Sequence, residues 1–332
     1  MARQGPRFDT VAVIGTGVIG RSWIQVFARA GCRVLVFDQN PDQLTGAIRW
    51  ARADVKRLRA AGHLKKKAAK AWLGRIEPMP TLEAAVGPAD YVQESGPERL
   101  EEKRAIFAAL DAAARKRAVL ASSTSAIDMT AIAEGLPGAA RCIVAHPVNP
   151  PHVVPAVEVL GGRETMPAVV RKTVRFLRDL GQVPVLLNRF APGFILNRMQ
   201  AALIREAVDL VASGVADVQA VDDSIRAGLG LRWALLGPFG VANTNADGGV
   251  REYFTRFRDA YHTLWDDLRT EVRFDDALVA RLGAATDRML PASLPAQRAW
   301  RDALVAGITE LKSQSPLPAS ARRRSKRTST RT

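Results

Sequence analysis

A short apolar run alternates with a helical pattern at the start of the chain. Residues 11–14 are apolar and have the length of a strand. The next segment places Ile19, Trp23 and Phe27 at the spacing of one helix face. Arg33–Phe37 is a second apolar run. Together they predict a β-strand, an α-helix and a second β-strand, which is the unit from which parallel sheets are built.

The same alternation continues to about residue 187. Further strands are predicted at 89–92, 118–121, 142–145, 157–160 and 183–187. Helices are predicted at 42–61, 65–73, 98–114 and 167–180. Strands that alternate with helices predict an α/β fold with a doubly wound, mainly parallel sheet.

The pattern becomes helical near residue 190. Helices are predicted at 193–213, 218–227, 250–268, 275–289 and 294–311, with no convincing strand. We therefore expect an α/β domain over residues 1–190, a smaller all-helical domain over 191–312 and a tail over 313–332.

Composition is that of an ordinary globular protein. The chain has 332 residues and 47% apolar residues, enough for two domains with real cores. No apolar run approaches the ~20 residues of a membrane span, and the first residues carry no secretory signal. Cys32 and Cys142 lie beside apolar strands, which indicates buried thiols and a cytoplasmic location. The histidines and cysteines lack the spacing of a zinc site, so no metal is expected.

The net charge of +15 is partly local. The tail 313–332 contains six basic residues and no acidic residue, and it is rich in Ser, Pro and Thr. That composition predicts disorder. The tail could contact nucleic acid, but it has no aromatic residue beside its arginines, so we favour a solvated tail.

A glycine-rich loop follows the first strand. Gly15 permits a tight turn, Gly17 lets the backbone approach a pyrophosphate, and Gly20 lets the helix pack on the strand. Val18 and Ile19 begin the helix, whose N-terminus favours the pyrophosphate anion. The loop lies between a strand and a helix, which predicts a Rossmann-like dinucleotide site.

Asp38 ends the second strand and indicates which dinucleotide binds. Its carboxylate can accept hydrogen bonds from both ribose hydroxyls and repels a 2′-phosphate. Gln39 and Asn40 supply no arginine for such a phosphate. We therefore expect NAD, which implies hydride transfer.

His146 and Glu158 are the candidate proton-transfer pair. His146 ends one apolar strand and Glu158 lies within the next. Burying two such groups is costly unless they are paired. A histidine held by a carboxylate is a common general base. The alternative is a structural His–Glu pair.

Two further polar residues could bind the substrate oxygen. They are Ser125, just after a strand, and Asn197, in the first turn of a long helix. Either could instead be a cap or turn residue.

The chain resembles the 3-hydroxyacyl-CoA dehydrogenase family over nearly its whole length. The resemblance is carried by Val11–Gly20, Ala121–Ser125, His146–Pro150, Glu158 and Pro192–Arg198. It implies that His146 is the catalytic base, that Glu158 is its partner, and that Ser125 and Asn197 hold the substrate oxygen.

The resemblance implies further cofactor contacts. Asn149 would lie beside the nicotinamide, and Glu98 and Lys103 would also contact the cofactor.

Two features indicate a branch of the family that acts on free acids. CoA-using members usually have two aromatic residues where this chain has Pro147-Val148, and they usually end in a glycine-rich motif that this chain lacks. Gly228–Trp233 is instead similar to the lambda-crystallin (L-gulonate 3-dehydrogenase) branch. Pro80–Ala85 and Gln93–Ser95 are similar to L-carnitine dehydrogenase.

Arg232 fits a free acid, because arginine can bind a carboxylate with two parallel bonds. The alternative is that it caps a helix ending near Gly228–Gly230.

We expect NAD-dependent oxidation of a free 3-hydroxy acid by a homodimer. The alternatives are a short 3-hydroxyacyl-CoA substrate, L-carnitine, or a structural protein on an inherited fold.

Overall fold

Eight strands form one sheet in the first part of the chain. The computed structural model describes residues 8–60, 62, 64–273 and 275–315, so the tail from residue 316 lies outside the described residues. The strands are β1 (Thr10–Ile14), β2 (Arg33–Phe37), β3 (Ile76–Pro78), β4 (Tyr91–Glu94), β5 (Val119–Ser122), β6 (Cys142–Pro147), β7 (Ala156–Gly161) and β8 (Val183–Leu186).

The strand order is β3-β2-β1-β4-β5-β6-β7-β8. All neighbours pair in parallel except β6 and β7, which are antiparallel. This confirms the expected Rossmann-like, mainly parallel sheet. Because β1 pairs with both β2 and β4, the order of the sheet reverses there. A crevice at the carboxyl ends of the strands at such a reversal is where ligands of open α/β sheets bind.

Fifteen α-helices lie within the described residues. They are α1 (Val18–Ala30), α2 (Pro41–Ala60), α3 (Lys66–Leu73), α4 (Leu82–Val86), α5 (Leu100–Ala113), α6 (Met129–Ile132), α7 (Pro167–Asp179), α8 (Leu196–Ala212), α9 (Val218–Asp223), α10 (Gly230–Trp233), α11 (Pro238–Thr244), α12 (Gly249–Arg256), α13 (Arg258–Asp267), α14 (Asp276–Met289) and α15 (Leu294–Gln314). A 3₁₀ turn covers Ala139–Arg141, and a π-helix over Ser224–Leu229 joins α9 to α10.

The single helix predicted over 250–268 is wrong. It is two helices, α12 and α13, which meet at Phe257. The aromatic spacing continues across the break because Tyr253 contacts both Phe257 and Tyr261, with ring centroids 4.9 and 6.2 Å apart. Periodicity alone therefore hid the junction. The short elements β3, α4, α6, α10 and α11 were not predicted.

Apolar layers cover both faces of the sheet. On one face Val11 and Val13 pack with Trp23 and Phe27 of α1. On the other face Ala12 and Ile14 belong to a separate buried cluster with Phe107 of α5. Alternate residues of β1 thus enter opposite cores, which explains why a strand covered on both sides is a continuous apolar run.

The chain divides into two compact units, one up to Arg205 and one from Glu206, so the division falls within α8. The described residues of the second unit form helices joined by turns and loops, with no strand. The boundary predicted near residue 190 remains a prediction. No helix among the described residues is both long and apolar enough to cross a membrane.

Candidate functional site

His146 and Glu158 face each other across the antiparallel pair β6–β7. The two residues are partners in the strand register, so their side chains project from the same face of the sheet. His146 Nδ1 lies 2.8 Å from Glu158 Oε2. The Glu158 side chain is fully buried, whereas that of His146 remains 11% exposed. The pair therefore joins a buried carboxylate to a ring that reaches a cavity.

The start of α8 holds the second oxygen of Glu158. The backbone N–H groups of Ile195 and Leu196 donate to Oε1 at 2.8 and 2.9 Å. Burial alone would raise the pKa of Glu158, but the hydrogen bonds from His146, Leu196 and Ile195 outweigh burial and lower the pKa. The carboxylate is thus kept ionised beside His146, where it can orient the ring and stabilise its protonated form.

A cavity of about 770 Å³ opens beside this pair. It brings together seven residues that the sequence singled out: Ile19, Glu98, Lys103, Ser125, His146, Asn149 and Asn197. They come from six different segments, among them the start of α1, the ends of β5 and β6, and the first turn of α8. Convergence of polar groups from several strand ends on one concavity is typical of an active site.

The glycine loop lines a second cavity of about 570 Å³, together with Asp38. Gly15 has φ +86°, and a Cβ on Gly20 would lie 1.9 Å from the Gly15 carbonyl oxygen. A Cβ on Gly17 would meet nothing within 4 Å and would project into open space. The glycines of the loop thus leave its backbone open in front of the N-terminus of α1. An open backbone at a helix N-terminus fits the pyrophosphate of NAD.

Asp38 is more constrained than its sequence position indicated. Its Oδ2 accepts from Thr16 N at 2.7 Å and from Thr16 Oγ1 at 2.8 Å. Its Oδ1 accepts from Asn40 N at 2.9 Å. Asp38 therefore ties the glycine loop to the end of β2. Thr16 was missed by the sequence analysis, because an unspecified position inside the glycine motif carries no signal of its own.

A buried ion pair supports Lys103. Lys103 Nζ lies 3.0 and 3.1 Å from the two Glu94 oxygens, and both side chains are about fully buried. Ser122 Oγ and Gly96 N also donate to Glu94, each at 2.6 Å. Glu94 and Ser122 were missed. The sequence did contain a signal for Glu94, because a carboxylate at the end of the apolar strand β4 requires a buried partner.

Glu98 links this pair to the substrate side of the cavity. Its Oε2 lies 3.5 Å from Lys103 Nζ. Its Oε1 accepts from Thr124 Oγ1 at 2.6 Å, from Ser125 N at 2.8 Å and from Ser125 Oγ at 3.2 Å. Burial raises the pKa of Glu98, and these hydrogen bonds together with the Lys103 charge lower it overall. Ser125 and Glu98, predicted separately, therefore touch.

Arg232 lies in α10 of the second unit and is exposed. The predicted helix end near Gly228–Gly230 is wrong, because the π-helix runs directly into α10. Arg232 instead lies in the last turn of α10, so its alternative role at a helix C-terminus stays open. Its role toward a substrate carboxylate remains a prediction.

The fold and the two cavities define a dinucleotide-dependent dehydrogenase. Family models place this chain more narrowly. Residues 10–190 match the NAD binding domain of 3-hydroxyacyl-CoA dehydrogenase, and residues 193–278 match its C-terminal domain. The chain belongs to the 3-hydroxyacyl-CoA dehydrogenase family. It is an NAD-dependent oxidoreductase that acts on a CH–OH group.

Individual relatives cover most of the chain. A lambda-crystallin homolog of Bos taurus is 40% identical over 92% of this chain and 96% of its own length. An L-carnitine dehydrogenase of Streptomyces coelicolor is 39% identical over 87% of this chain and 91% of its own. Among solved structures, an NAD⁺-dependent 5-formyl-3-hydroxy-2-methylpyridine 4-carboxylic acid 5-dehydrogenase has a TM-score of 0.76 at 25% identity, covering 92% of this chain and 98% of that one.

Proposed function

We propose that this protein oxidises the 3-hydroxyl group of a free 3-hydroxy acid to the 3-oxo acid, with His146 as the general base. The observation that carries the proposal is the held carboxylate of Glu158. One of its oxygens lies 2.8 Å from His146 Nδ1, and the other accepts two backbone N–H bonds. The imidazole is thereby oriented by a group that is itself fixed.

Each side chain of the pair has a defined part in the reaction. The chemistry that NAD would supply here is a hydride acceptor for C3 of the substrate. His146 Nε2 takes the proton of the substrate hydroxyl, so the C3–O bond can become a carbonyl. Glu158 accepts the Nδ1–H bond and stabilises the positive charge that the ring acquires. Oxidation of the alcohol to the carbonyl thus removes one proton, which His146 takes, and one hydride, which the cofactor would take.

Ser125 and Asn197 are proposed to bind the substrate oxygen. Both line the cavity that contains His146. The Ser125 hydroxyl contacts Glu98 Oε1 at the long distance of 3.2 Å, while Thr124 and two backbone N–H groups serve the same oxygen at shorter distances. The Ser125 hydroxyl can therefore turn to a substrate at small cost.

The cofactor would lie along both cavities. Gly15, Gly17, Val18, Ile19 and Gly20 would face the pyrophosphate. Asp38 would bind the adenosine ribose, and Glu98, Lys103 and Asn149 would surround the nicotinamide half.

Two features of the sequence and the name of one relative support a free acid as substrate. Pro147-Val148 replaces the aromatic pair usual in CoA-using members, and the glycine-rich motif usual at their C-terminus is absent from the sequence. The L-carnitine dehydrogenase described above is named for L-carnitine and not for a CoA ester. Arg232, which is exposed on α10, is the proposed cation for the carboxylate.

A substrate screen tests the proposal directly. NADH formation would be measured for L-gulonate, L-carnitine, 3-hydroxybutyrate and 3-hydroxybutyryl-CoA at matched concentrations. We expect the highest kcat/KM with one of the free acids. Faster turnover of 3-hydroxybutyryl-CoA than of every free acid would refute the proposal that the substrate is a free acid. If L-carnitine were the best substrate, the protein would be an L-carnitine dehydrogenase.

A further inference from the structure

Ser95 occupies the junction between the two cavities. It lines the cavity of His146 and also the cavity of the glycine loop. It follows Glu94 directly at the end of β4, next to the point where the sheet order reverses. Its backbone carbonyl is so close to Gly15 that a Cβ there would lie 2.7 Å away. A ligand extending from one cavity to the other must therefore pass Ser95.

A chain of buried hydrogen bonds begins at Gln93. The carbonyl oxygen of Ala145 lies 3.2 Å from Gln93 Nε2 and can only accept a hydrogen bond. This fixes the orientation of the Gln93 amide, with Oε1 accepting from Tyr91 Oη at 2.9 Å. The second Nε2–H then donates to Ser123 Oγ at 2.8 Å.

Ser123 also accepts from Trp23. The indole Nε1–H, which can only donate, lies 3.2 Å from Ser123 Oγ. A hydroxyl oxygen has two acceptor positions, and Gln93 and Trp23 fill both. Among the described residues, the acceptor that is left for the Ser123 proton is Ser95 Oγ, 2.9 Å away.

The direction of the last bond determines what Ser95 can do. Because Ser95 Oγ accepts the Ser123 proton, its own O–H points away from Ser123. We propose that Ser95 is a cofactor-binding residue whose O–H donates to an acceptor oxygen of bound NAD at the junction of the cavities. Trp23, Gln93 and Ser123 act as positioning residues that orient this donor before the cofactor arrives.

The position of Ser95 favours the cofactor over the substrate. Its Cβ lies 3.5 Å from the site of a Cβ on Gly20, at the start of α1. The N-terminus of α1 is where the pyrophosphate is expected. The acceptor is therefore an oxygen of the pyrophosphate or of the adjoining nicotinamide riboside. This inference rests on NAD binding and not on the proposed free-acid substrate.

The test measures cofactor binding without any substrate. NADH affinity would be determined by fluorescence titration for wild type, Ser95→Ala and Ser95→Cys. Ser213→Ala is the matched control, because the exposed Ser213 hydroxyl donates to backbone carbonyls in the last turn of α8, which ends just before it. We expect about 3–10-fold weaker NADH binding for Ser95→Ala, from the loss of one hydrogen bond. Ser95→Cys should be intermediate, since a thiol is a weak donor.

Fragments of the cofactor distinguish a contact from a general disturbance. In Ser95→Ala the affinity for AMP should be unchanged. In the series ADP, ADP-ribose and NADH, the affinity should fall at the first ligand that contains the oxygen bound by Ser95, and it should stay lower for the larger ligands. Thermal denaturation shows whether each variant is folded. If Ser95→Ala is unfolded, the NADH affinity of Ser95→Cys is used for the test instead. Unchanged NADH affinity, equal weakening of AMP and NADH, or a rise in substrate KM with normal NADH affinity would each overturn the proposal.

Discussion

Glu158 and His146 are directly opposed residues of the antiparallel strands β7 and β6, with Oε2 and Nδ1 2.8 Å apart. Directly opposed side chains of an antiparallel pair project from the same face. The change of strand direction at β6–β7 therefore creates the pair. At the other oxygen of Glu158, the backbone N–H groups of Ile195 and Leu196, at the start of α8, donate to the carboxylate.

Replacing His146 with Gln should lower kcat by about 10²–10⁴-fold, because Gln keeps much of the volume but cannot accept the proton. NADH affinity, measured by fluorescence titration, should stay near that of wild type. His262→Gln, in α13 of the second unit, is the matched control and should leave kcat unchanged. A His146→Gln variant with normal NADH affinity and near-normal kcat would rule out His146 as the base.

Glu158 should make stability depend on pH in acid. Its pKa in the folded protein is lowered, so it lies below the unfolded value of about 4.3. The stabilisation is therefore fully present above the unfolded pKa and is lost as pH falls through the folded pKa. Urea unfolding of wild type and Glu158→Gln should give a clear difference in free energy of unfolding at about pH 7.

That difference between wild type and Glu158→Gln should shrink steadily below about pH 4. Glu83→Gln, on the surface in the first turn of α4, provides a control with a carboxylate outside the site. A difference that is constant from neutral to acid pH would mean that the Glu158 charge does not stabilise the fold.

The parts of the site that the sequence predicted are those with strong local signals. Gly15 and Gly20 were identified because their spacing between a strand and a helix is specific. His146 and Glu158 were identified because ionisable groups in apolar strands are costly unless paired. In each case a few neighbouring residues carried the information.

The parts that were missed depend on which strands become neighbours. Ser123 follows β5, whose pairing with β4 brings Gln93 to the Ser123 hydroxyl, and Trp23 reaches the same hydroxyl from α1. Glu94 was missed because its partner Lys103 arrives from α5. Strand β3 is short and ends in Pro78, so its three residues gave no usable pattern.

The enzyme should prefer NAD to NADP, measured as the ratio of kcat/KM for the two cofactors. The reason is the Asp38 carboxylate, which would repel a 2′-phosphate. Asp38→Ser should reduce this preference. Since Asp38 also holds Thr16, Thr16→Val serves as the comparison for loss of loop support alone. A wild-type preference for NADP would contradict the assignment of Asp38, as would an equal change of the ratio in both variants.

The protein should be a homodimer formed through the second unit. That unit exposes several large apolar side chains, namely Leu231, Leu235, Phe239, Trp265, Trp300 and Leu304. Large apolar side chains exposed in such number favour burial against a partner chain. Light scattering at micromolar concentration should give twice the chain mass, and Trp265→Glu should shift the protein toward monomer. A wild-type monomer at that concentration would contradict this prediction.

Arg232 should bind the substrate carboxylate, so Arg232→Met should raise KM for the preferred free acid. Loss of a hydrogen-bonded ion pair costs about 1.5–3 kcal/mol, and NADH affinity should not change because the arginine would face the other ligand. Arg226→Met is the matched control, since Arg226 lies on the adjoining π-helix turn and pairs with Asp223 at 2.5 Å. If the rise in KM were equal in both variants, it would reflect a disturbed helix. If KM were unchanged in Arg232→Met, the carboxylate would have to be bound by another cation, even if the free acid remained the best substrate.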